Sequence, residues 1–189
     1  MKNILFINSH KGSEANLFMS CLSRNKRIQN FKGMSPFNHP EDLKKLTDKR
    51  HKCDNSAAIY MHGLWENIDW VRFPVRRLSK FIHLIREPRS SLSNMLEQHL
   101  NSKNKIKNLE QNLLNEYCFR LRGIYEMYKL TPKSLVFDIE RIDFDQIKEY
   151  LNIDELGAFE LPEHKDIFPE NLCKQAEETY EKYFSLLNL

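Results

Sequence analysis

Two apolar runs of strand length each end in a turn that combines a cation with small residues, and each turn leads into a helical pattern. The first segment is Ile4–Ser13 and reads ILFINSHKGS, and the second is Phe81–Asn94 and reads FIHLIREPRSSLSN. This order of strand, turn and helix is typical of α/β proteins, whose parallel strands place their carboxyl ends at one edge of the sheet. Two such turns on neighbouring strands would be placed to hold two anionic groups of one ligand.

The rest of the chain alternates strands with helices and predicts one domain over residues 1–189. We expect an α/β protein with three layers, α/β/α, around a central parallel sheet of about four to five strands. The segment 25–56 reads as mostly irregular and polar. The predicted strands are 3–8, 57–61, 80–85 and 134–139. The predicted helices are 14–24, 40–49, 65–79, 88–100, 108–129, 143–151 and 169–187.

Composition narrows the classes of partner. The net charge of +3 is mild and gives no reason to expect nucleic acid as a ligand. The apolar runs are too short for a membrane span, and no signal peptide is visible, so we expect a cytoplasmic protein. The four cysteines are far apart and predict reduced thiols rather than a metal site. The oligomeric state is not indicated by the sequence.

The first turn has the features of an anion site. A short turn between a parallel strand and a helix directs several backbone N–H groups at one point, and the helix N-terminus adds partial positive charge. Lys11 supplies an ammonium group there, and Ser9 and Ser13 supply hydroxyl donors. The turn is not the GxxxxGK[ST] loop of common nucleotide hydrolases, because its lysine precedes Gly12 and no Lys-Ser or Lys-Thr closes it. An ordinary strand–helix turn is the alternative interpretation.

The second turn places a guanidinium group where open α/β sheets bind their ligands. Arg86 ends the apolar run, and Ser93 and Asn94 follow about two helical turns later. A guanidinium with a hydroxyl or an amide is a suitable clamp for a phosphate group. The alternative is that Arg86 forms an ion pair with a carboxylate such as Glu87.

Taken together, the two segments resemble the sulfotransferase family. The family's 5′-phosphosulfate loop is a strand followed by Lys-Ser-Gly-Thr or Arg-Ser-Gly-Thr, and this chain has Lys11–Glu14 with the glycine and serine exchanged. The family's 3′-phosphate segment is Arg-Asp/Asn-Pro-Arg with a serine eight residues after the first arginine. Here Arg86–Arg89 reads REPR, with Asn94 at the eighth position and Ser93 beside it. A third landmark, a strand ending near Tyr-Glu-Asp-Leu, is matched by Leu135–Ile142.

The resemblance extends from Lys2 to about Ile153 and implies a P-loop NTPase-like sulfotransferase fold. It implies transfer of a sulfuryl group from 3′-phosphoadenosine 5′-phosphosulfate (PAPS) to the hydroxyl of a small-molecule or glycan acceptor. No metal is expected, because no cluster of Asp and His suggests one. The residues implied to bind the co-substrate are Ser9, His10, Lys11, Gly12, Ser13, Glu14, Ala15, Arg86, Ser93 and Asn94.

Two catalytic roles follow from the same resemblance. Lys11 would neutralise the leaving oxygen between phosphorus and sulfur. His62, at the end of the strand over 57–61, would take the proton of the acceptor hydroxyl, as a neutral imidazole can near neutral pH. Glu66 is the alternative base, and a structural histidine bonded to backbone is the alternative for His62. His83 is expected to be structural or solvated.

Two other functions stay open. The exchanged Gly12 and Ser13, Glu14 in place of a family threonine, and Tyr60 in place of the lysine two residues before His62 are compatible with an inactive relative that only binds a nucleotide. A divergent P-loop nucleotide kinase is the other alternative, although it requires magnesium carboxylates that are not evident. The acceptor cannot be identified from the sequence.

Overall fold

A computed structural model describes residues 4–30, 56–62, 79–102, 106–131 and 133–189. Five strands form a single sheet in the order β2-β3-β1-β4-β5, and every neighbouring pair is parallel. The strands are β1 (Ile4–Ser9), β2 (Ile28–Asn30), β3 (Ser56–His62), β4 (Ser79–Ile85) and β5 (Leu135–Asp138). The described α-helices are α1 (Ala15–Leu22), α2 (Pro88–Asn101), α3 (Leu109–Leu130), α4 (Phe144–Leu151) and α5 (Glu170–Leu186). A single 3₁₀ turn, Ile139–Arg141, follows β5.

Strand β1 lies in the middle of the sheet and aligns the carboxyl ends of its neighbours. Its residue Asn8 is in register with His83 of β4, and Ser9 is in register with His62 of β3. The turn after β1 and the turn after β4 therefore leave the same edge of the sheet, side by side. This arrangement brings the two predicted anion-binding segments together.

The side chains of the strands alternate between two hydrophobic cores, one on each face of the sheet. Leu5 and Ile7 of β1 pack on one face with Phe18 of α1 and Ile147 of α4. On the other face, Ile85 packs with residues of α2, α3 and α5. Helices thus cover both faces of a parallel sheet, and the predicted three-layer α/β fold is confirmed. The buried residues of the second core include Leu92, Met95, Leu113, Tyr117, Leu121, Ile124 and Cys173.

Most element boundaries lie within two residues of the predicted ones, but two interpretations need correction. Strand β2 lies inside the segment 25–56, which we expected to be irregular, and pairs with β3 through Ile28 and Ser56. Three residues are too few to show a period, so the pairing partner creates this strand. The apolar spacing within 14–24 predicts that Leu17 faces the core together with Phe18, but Leu17 is 36% exposed. The predicted helices 40–49 and 65–79 lie outside the described residues except for Ser79, which begins strand β4 instead of ending a helix.

Two further expectations concern thiols and membranes. Cys21, Cys118 and Cys173 are free thiols, and Cys53 lies outside the described residues. Burial raises the pKa of the Cys21, Cys118 and Cys173 thiols, which keeps them protonated near neutral pH. Within the described ranges, every helix is too short or too polar to cross a bilayer.

Candidate anion-binding site

The first turn has a backbone conformation that requires a residue without a side chain. Gly12 has φ +76° and Glu14 has φ +61°, so the chain passes twice through the left-handed region before α1 begins at Ala15. A Cβ atom on Gly12 would lie 2.3 Å from the backbone oxygen of Ser91 on α2. Gly12 therefore allows the turn to lie directly against the start of the neighbouring helix.

Side chains inside the first turn fix its shape. The hydroxyl oxygens of Ser9 and Ser13 are 2.5 Å apart, and both side chains are fully buried. The imidazole Nδ1 of His10 donates to the backbone oxygen of Lys11 at 2.8 Å. The backbone N–H of Ser13 points to the oxygen of His10 at 3.4 Å, so this N–H is directed into the turn. The turn is thus held by its own hydrogen bonds before any ligand arrives.

The second turn buries its arginine. The side chain of Arg86 is 4% exposed, and its Nε donates to Oε1 of Glu140 at 3.1 Å. The expected alternative partner, Glu87, instead caps α2 by accepting from the backbone N–H groups of Arg89 at 2.7 Å and Ser90 at 2.5 Å. Nη1 of Arg86 is buried and has no hydrogen-bond partner among the described residues. A buried, unpaired guanidinium N–H is costly, and an anion would satisfy it.

Ser93 and Asn94 lie on α2, are both buried, and form hydrogen bonds with other parts of the chain. Ser93 accepts from the backbone N–H of Ile167 at 3.3 Å. Asn94 donates to the backbone oxygen of Gly12 at 3.3 Å and to Oε1 of Glu14 at 2.5 Å. In the described part of the chain, neither side chain is hydrogen-bonded to Arg86. Asn94 therefore connects α2 to the first turn.

A buried histidine and a tyrosine of α3 join the two turns. The Nε2 atom of His10 accepts from the backbone N–H of Arg86 at 3.1 Å, which agrees with a proton on Nδ1. The hydroxyl of Tyr117 donates to the backbone oxygen of Arg86 at 2.7 Å, and its ring lies edge-on to that of His10 with centroids 5.0 Å apart. Burial raises the pKa of Tyr117 well above its usual value, so the hydroxyl remains a donor. The site therefore has a fixed separation between its two halves.

Lys11 is in contact with a pair of charges that the sequence analysis missed. Its Nζ lies 3.0 Å from Oε1 of Glu116 on α3, and Nη2 of Arg120 lies 3.0 Å from the same oxygen. Burial works against the charged carboxylate, but Lys11 and Arg120 outweigh it and lower the pKa of Glu116. The spacing of four residues predicts that Glu116 and Arg120 share a helix face, but only the fold places that face beside the first turn.

A second set of contacts that we did not predict comes from the segment between α4 and α5. The Nε2 atom of His164 lies 3.2 Å from Oε1 of Glu14, and its Nδ1 lies 3.7 Å from Oε2 of Glu97. Arg89 contacts Asp166 at 2.5 Å in the same region. Glu14 therefore accepts a hydrogen bond from Asn94 and lies close to His164.

Below the turns, a series of hydrogen bonds between buried polar side chains supports the edge of the sheet. Asn8 donates to Nδ1 of His83 at 3.0 Å, and Nε2 of His83 donates to Oγ1 of Thr131 at 2.9 Å. Burial lowers the pKa of His83 to about 3, so the ring is neutral near neutral pH. Of the two roles that we expected for His83, the structural one is correct.

The candidate base can be placed only by its backbone. His62 is the last residue of β3 and is in register with Ser9 of β1, so it lies at the edge of the sheet from which both turns leave. Its side chain and the alternative base, Glu66, lie outside what the structure describes. The choice between the two bases remains a prediction.

The described residues contain no group of three or more His, Cys, Asp or Glu side chains suited to hold a metal ion. A cavity of about 480 Å³ lies elsewhere, between α4 and the segment that follows it. Its lining includes Lys148, Asp154 and Glu155, so its charges are mixed and do not favour an anion. The arrangement at the two turns, in contrast, combines cations and N–H donors and is suited to bind two anionic groups of one molecule.

No model of a protein family matches the chain, and no curated protein matches it. Among solved structures, it is similar to a crystal structure of retinol dehydratase in complex with retinol and PAP (adenosine 3′,5′-bisphosphate), with a TM-score of 0.47 and 13% identity over 100% of this chain and 83% of that one. It is also similar to retinol dehydratase in complex with androsterone and the inactive cofactor PAP, with a TM-score of 0.49 and 13% identity over 98% and 82% of the two chains. At this identity and these TM-scores the similarity assigns no residue role.

Proposed function

We propose that this protein is a sulfotransferase that moves a sulfuryl group from PAPS to the hydroxyl of a small-molecule or glycan acceptor, as a single domain and without a metal. The observation that carries the proposal is the hydrogen bond between Nε2 of His10 and the backbone N–H of Arg86, because it joins the two cationic turns into one site. A nucleotide with phosphates at both ends of one ribose has the matching chemistry.

The first turn would hold the 5′-phosphate end of the donor. The backbone N–H groups over Lys11–Ala15 would donate to it at the N-terminus of α1, and that of Ser13 would have to turn from the oxygen of His10. Lys11 would lie beside the oxygen between phosphorus and sulfur and stabilise its charge as it leaves. The Lys11 side chain is 44% exposed and would exchange Glu116 for the ligand.

The second turn would hold the 3′-phosphate. The buried Nη1 of Arg86, which lacks a partner among the described residues, supports this role because a phosphate oxygen would satisfy it. Ser93 and Asn94 remain candidates for the same phosphate. Each would first exchange its present partner, which is the N–H of Ile167 for Ser93 and the first turn for Asn94.

His62 would accept the proton from the acceptor hydroxyl, with Glu66 as the alternative base. The register of β3 with β1 supports this placement, since it sets the backbone of His62 beside Ser9 at the sheet edge. Sulfuryl transfer resembles phosphoryl transfer in requiring the attacking and leaving oxygens in line, so the protein acts mainly by positioning groups and stabilising charge.

Calorimetric titration with PAP, magnesium–ATP and AMP tests the donor site. We expect PAP to bind more tightly than either of the others, because only PAP offers one phosphate to each turn. Preference for magnesium–ATP would contradict the proposal and favour the nucleotide kinase. A screen of hydroxyl acceptors with labelled PAPS then tests catalysis, and binding of PAP without turnover for any acceptor would favour the inactive relative.

A further inference from the structure

We infer that Arg120 of α3 is a further anion-binding residue beside the first turn. In this inference, the carboxylate of Glu116 takes the place of the ligand's anionic group between Lys11 and Arg120 until the donor binds. The identity of the ligand, the phosphosulfate end of PAPS, rests on the proposed function. The site itself rests on the contacts among Lys11, Glu116 and Arg120.

The geometry of the cluster is that of two cations around one oxygen. Nζ of Lys11 and Nη2 of Arg120 each lie 3.0 Å from Oε1 of Glu116. Since both contact one atom, the two cations are as close together as two ligands of a single phosphate or sulfate oxygen. A phosphate or sulfate group that reached Lys11 would therefore be within reach of Arg120.

The charges and hydrogen bonds of the cluster are incomplete without a further anion. Two cations face one carboxylate, so the cluster carries a net positive charge. The side chain of Arg120 is 12% exposed, and its Nε and Nη1 are buried without a hydrogen-bond partner in the part of the chain that the structure describes. Such donors raise the free energy of the unliganded protein until an acceptor satisfies them.

The position of the cluster follows from its neighbour in the sequence. Tyr117 contacts His10 of the first turn and the backbone oxygen of Arg86 in the second. Glu116 and Arg120 stand one helical turn apart on α3, and the Lys11 contact places Glu116 beside the first turn. The helix thus carries a charged pair next to the point where the donor's reactive end would lie.

Four single variants separate this role from a structural one. Arg120→Gln removes the proposed ligand contact, and Arg122→Gln removes the same charge from an exposed position on the same helix. Glu116→Gln removes the competing carboxylate, and Glu126→Gln is its control. Glu126 is 24% exposed against 25% for Glu116, and it is also paired with a lysine, Lys129.

Calorimetric titration of the whole protein and of each variant uses two probes, PAP and inorganic pyrophosphate. We expect Arg120→Gln to weaken binding of both probes roughly tenfold, as for a hydrogen bond to a charged group. We expect Glu116→Gln to tighten binding of both about threefold, because a half-exposed ion pair no longer competes. Neither control should change either affinity.

The outcomes are distinguishable. Tighter binding by Glu116→Gln cannot arise from partial unfolding, so it supports the inference even if Arg120→Gln loses stability. Equal affinities for Glu116→Gln and the wild type would overturn the inference and leave the proposed function standing. If the affinity for pyrophosphate changes in both variants, but the wild type binds PAP no more tightly than it binds AMP in the donor titration, the anion site stands and the proposed donor fails. If neither probe binds to any of these proteins, both are overturned.

Discussion

The two turns of the site hold their cations in opposite ways. In the first turn the side chain of Lys11 is 44% exposed and pairs with Glu116 at the surface of α3. In the second turn the side chain of Arg86 is 4% exposed and pairs with Glu140 through Nε alone. The first turn is shaped by left-handed backbone at Gly12 and Glu14, whereas the second is an ordinary strand end followed by a capped helix.

This difference in exposure predicts different roles for the two cations, one in affinity and the other in turnover. A desolvated guanidinium loses few contacts with water when a phosphate arrives, so Arg86 is suited to contribute affinity. A partly exposed ammonium contributes little to ground-state binding but can strengthen its contact as charge develops on a leaving oxygen. We therefore expect a change of Arg86 to act mainly on affinity for PAP, and changes of Gly12 and Lys11 to act mainly on the fold and on turnover.

The largest expected effect is on the second turn. Arg86→Ala should weaken PAP binding by about 2–4 kcal/mol, because it removes one partner of a desolvated charge pair. Titration calorimetry measures the change. Arg89→Ala is the matched control, since Arg89 stands three residues later and its partners are Asp166 and Glu170. Equal losses in both variants would mean that general positive charge, rather than Arg86, attracts the ligand.

The first turn should be most sensitive to a change of shape. Gly12→Ala should lower the free energy of unfolding by about 2–3 kcal/mol, since the new Cβ meets the backbone oxygen of Ser91 at a positive φ. Urea denaturation measures the loss. Gly157→Ala is the control, because its Cβ would come closest to the flexible side chain of Arg24, and the nearest backbone atom, the oxygen of Cys21, would be 3.1 Å away rather than 2.3 Å. A Gly12 variant as stable as that control would contradict the close approach of the turn to α2.

Acid should lower the free energy of unfolding through protonation of His83, which lies below both turns. Its pKa of about 3 in the folded protein lies below the ordinary 6.5, so between these values the unfolded chain binds a proton that the folded chain excludes. The free energy of unfolding should therefore fall as the pH drops from 6.5 toward 3, by up to about 1.4 kcal/mol per pH unit. Denaturation at several pH values measures the slope. A His83→Gln variant should have a shallower slope, and equal slopes would rule out this source of acid sensitivity.

The exposed cation should matter for the rate. Lys11→Ala should lower turnover with PAPS at least about tenfold, or about 1.4 kcal/mol, because a donor to the leaving oxygen is lost. The same change should lower PAP affinity less than it lowers turnover. Lys129→Ala, which removes a comparably exposed lysine at the far end of α3, should change neither. Unchanged turnover in Lys11→Ala would mean that another group stabilises the leaving oxygen.

The smallest expected effect is on the start of α2. Glu87→Ala should lower the free energy of unfolding by about 1 kcal/mol, since it removes the carboxylate that caps Arg89 and Ser90. Asp143→Ala removes the corresponding cap of α4 and should cost a similar amount. Only the Glu87 variant should also weaken PAP, because only that cap adjoins Arg86. Equal PAP affinity in the two variants would show that the second turn holds its shape without the cap.

The sequence predicted the layered α/β fold because buried parallel strands and amphipathic helices leave local patterns. It also predicted that the two turns lie close together, since the carboxyl ends of parallel strands share one edge of the sheet. Strand β2 was missed because three residues carry no period, and its strand character comes from pairing with β3. The alternative interpretation of Arg86 named Glu87 as its carboxylate partner, whereas the observed partner, Glu140, is 54 residues away in sequence.

The site residues that were missed share one property, which is that their roles depend on contacts between distant segments. Glu116 and Arg120 form a visible pair on α3, but no local pattern places that pair beside Lys11. His164 reaches Glu14 from a segment without helix or strand. The phosphate contact of Asn94 remains a prediction, and its observed hydrogen bond to the backbone oxygen of Gly12 could not be read from the sequence.

Tyr117 touches the ring of His10 with one part of its side chain and the carbonyl of Arg86 with another. One aromatic residue thereby acts as a spacer, and the gap between the two halves cannot widen or narrow without disturbing the middle of a 22-residue helix. For the proposed function, selection among nucleotides would then depend on the distance between their charged groups. A ligand with a different distance between its charged groups would contact one turn and lose its contact with the other.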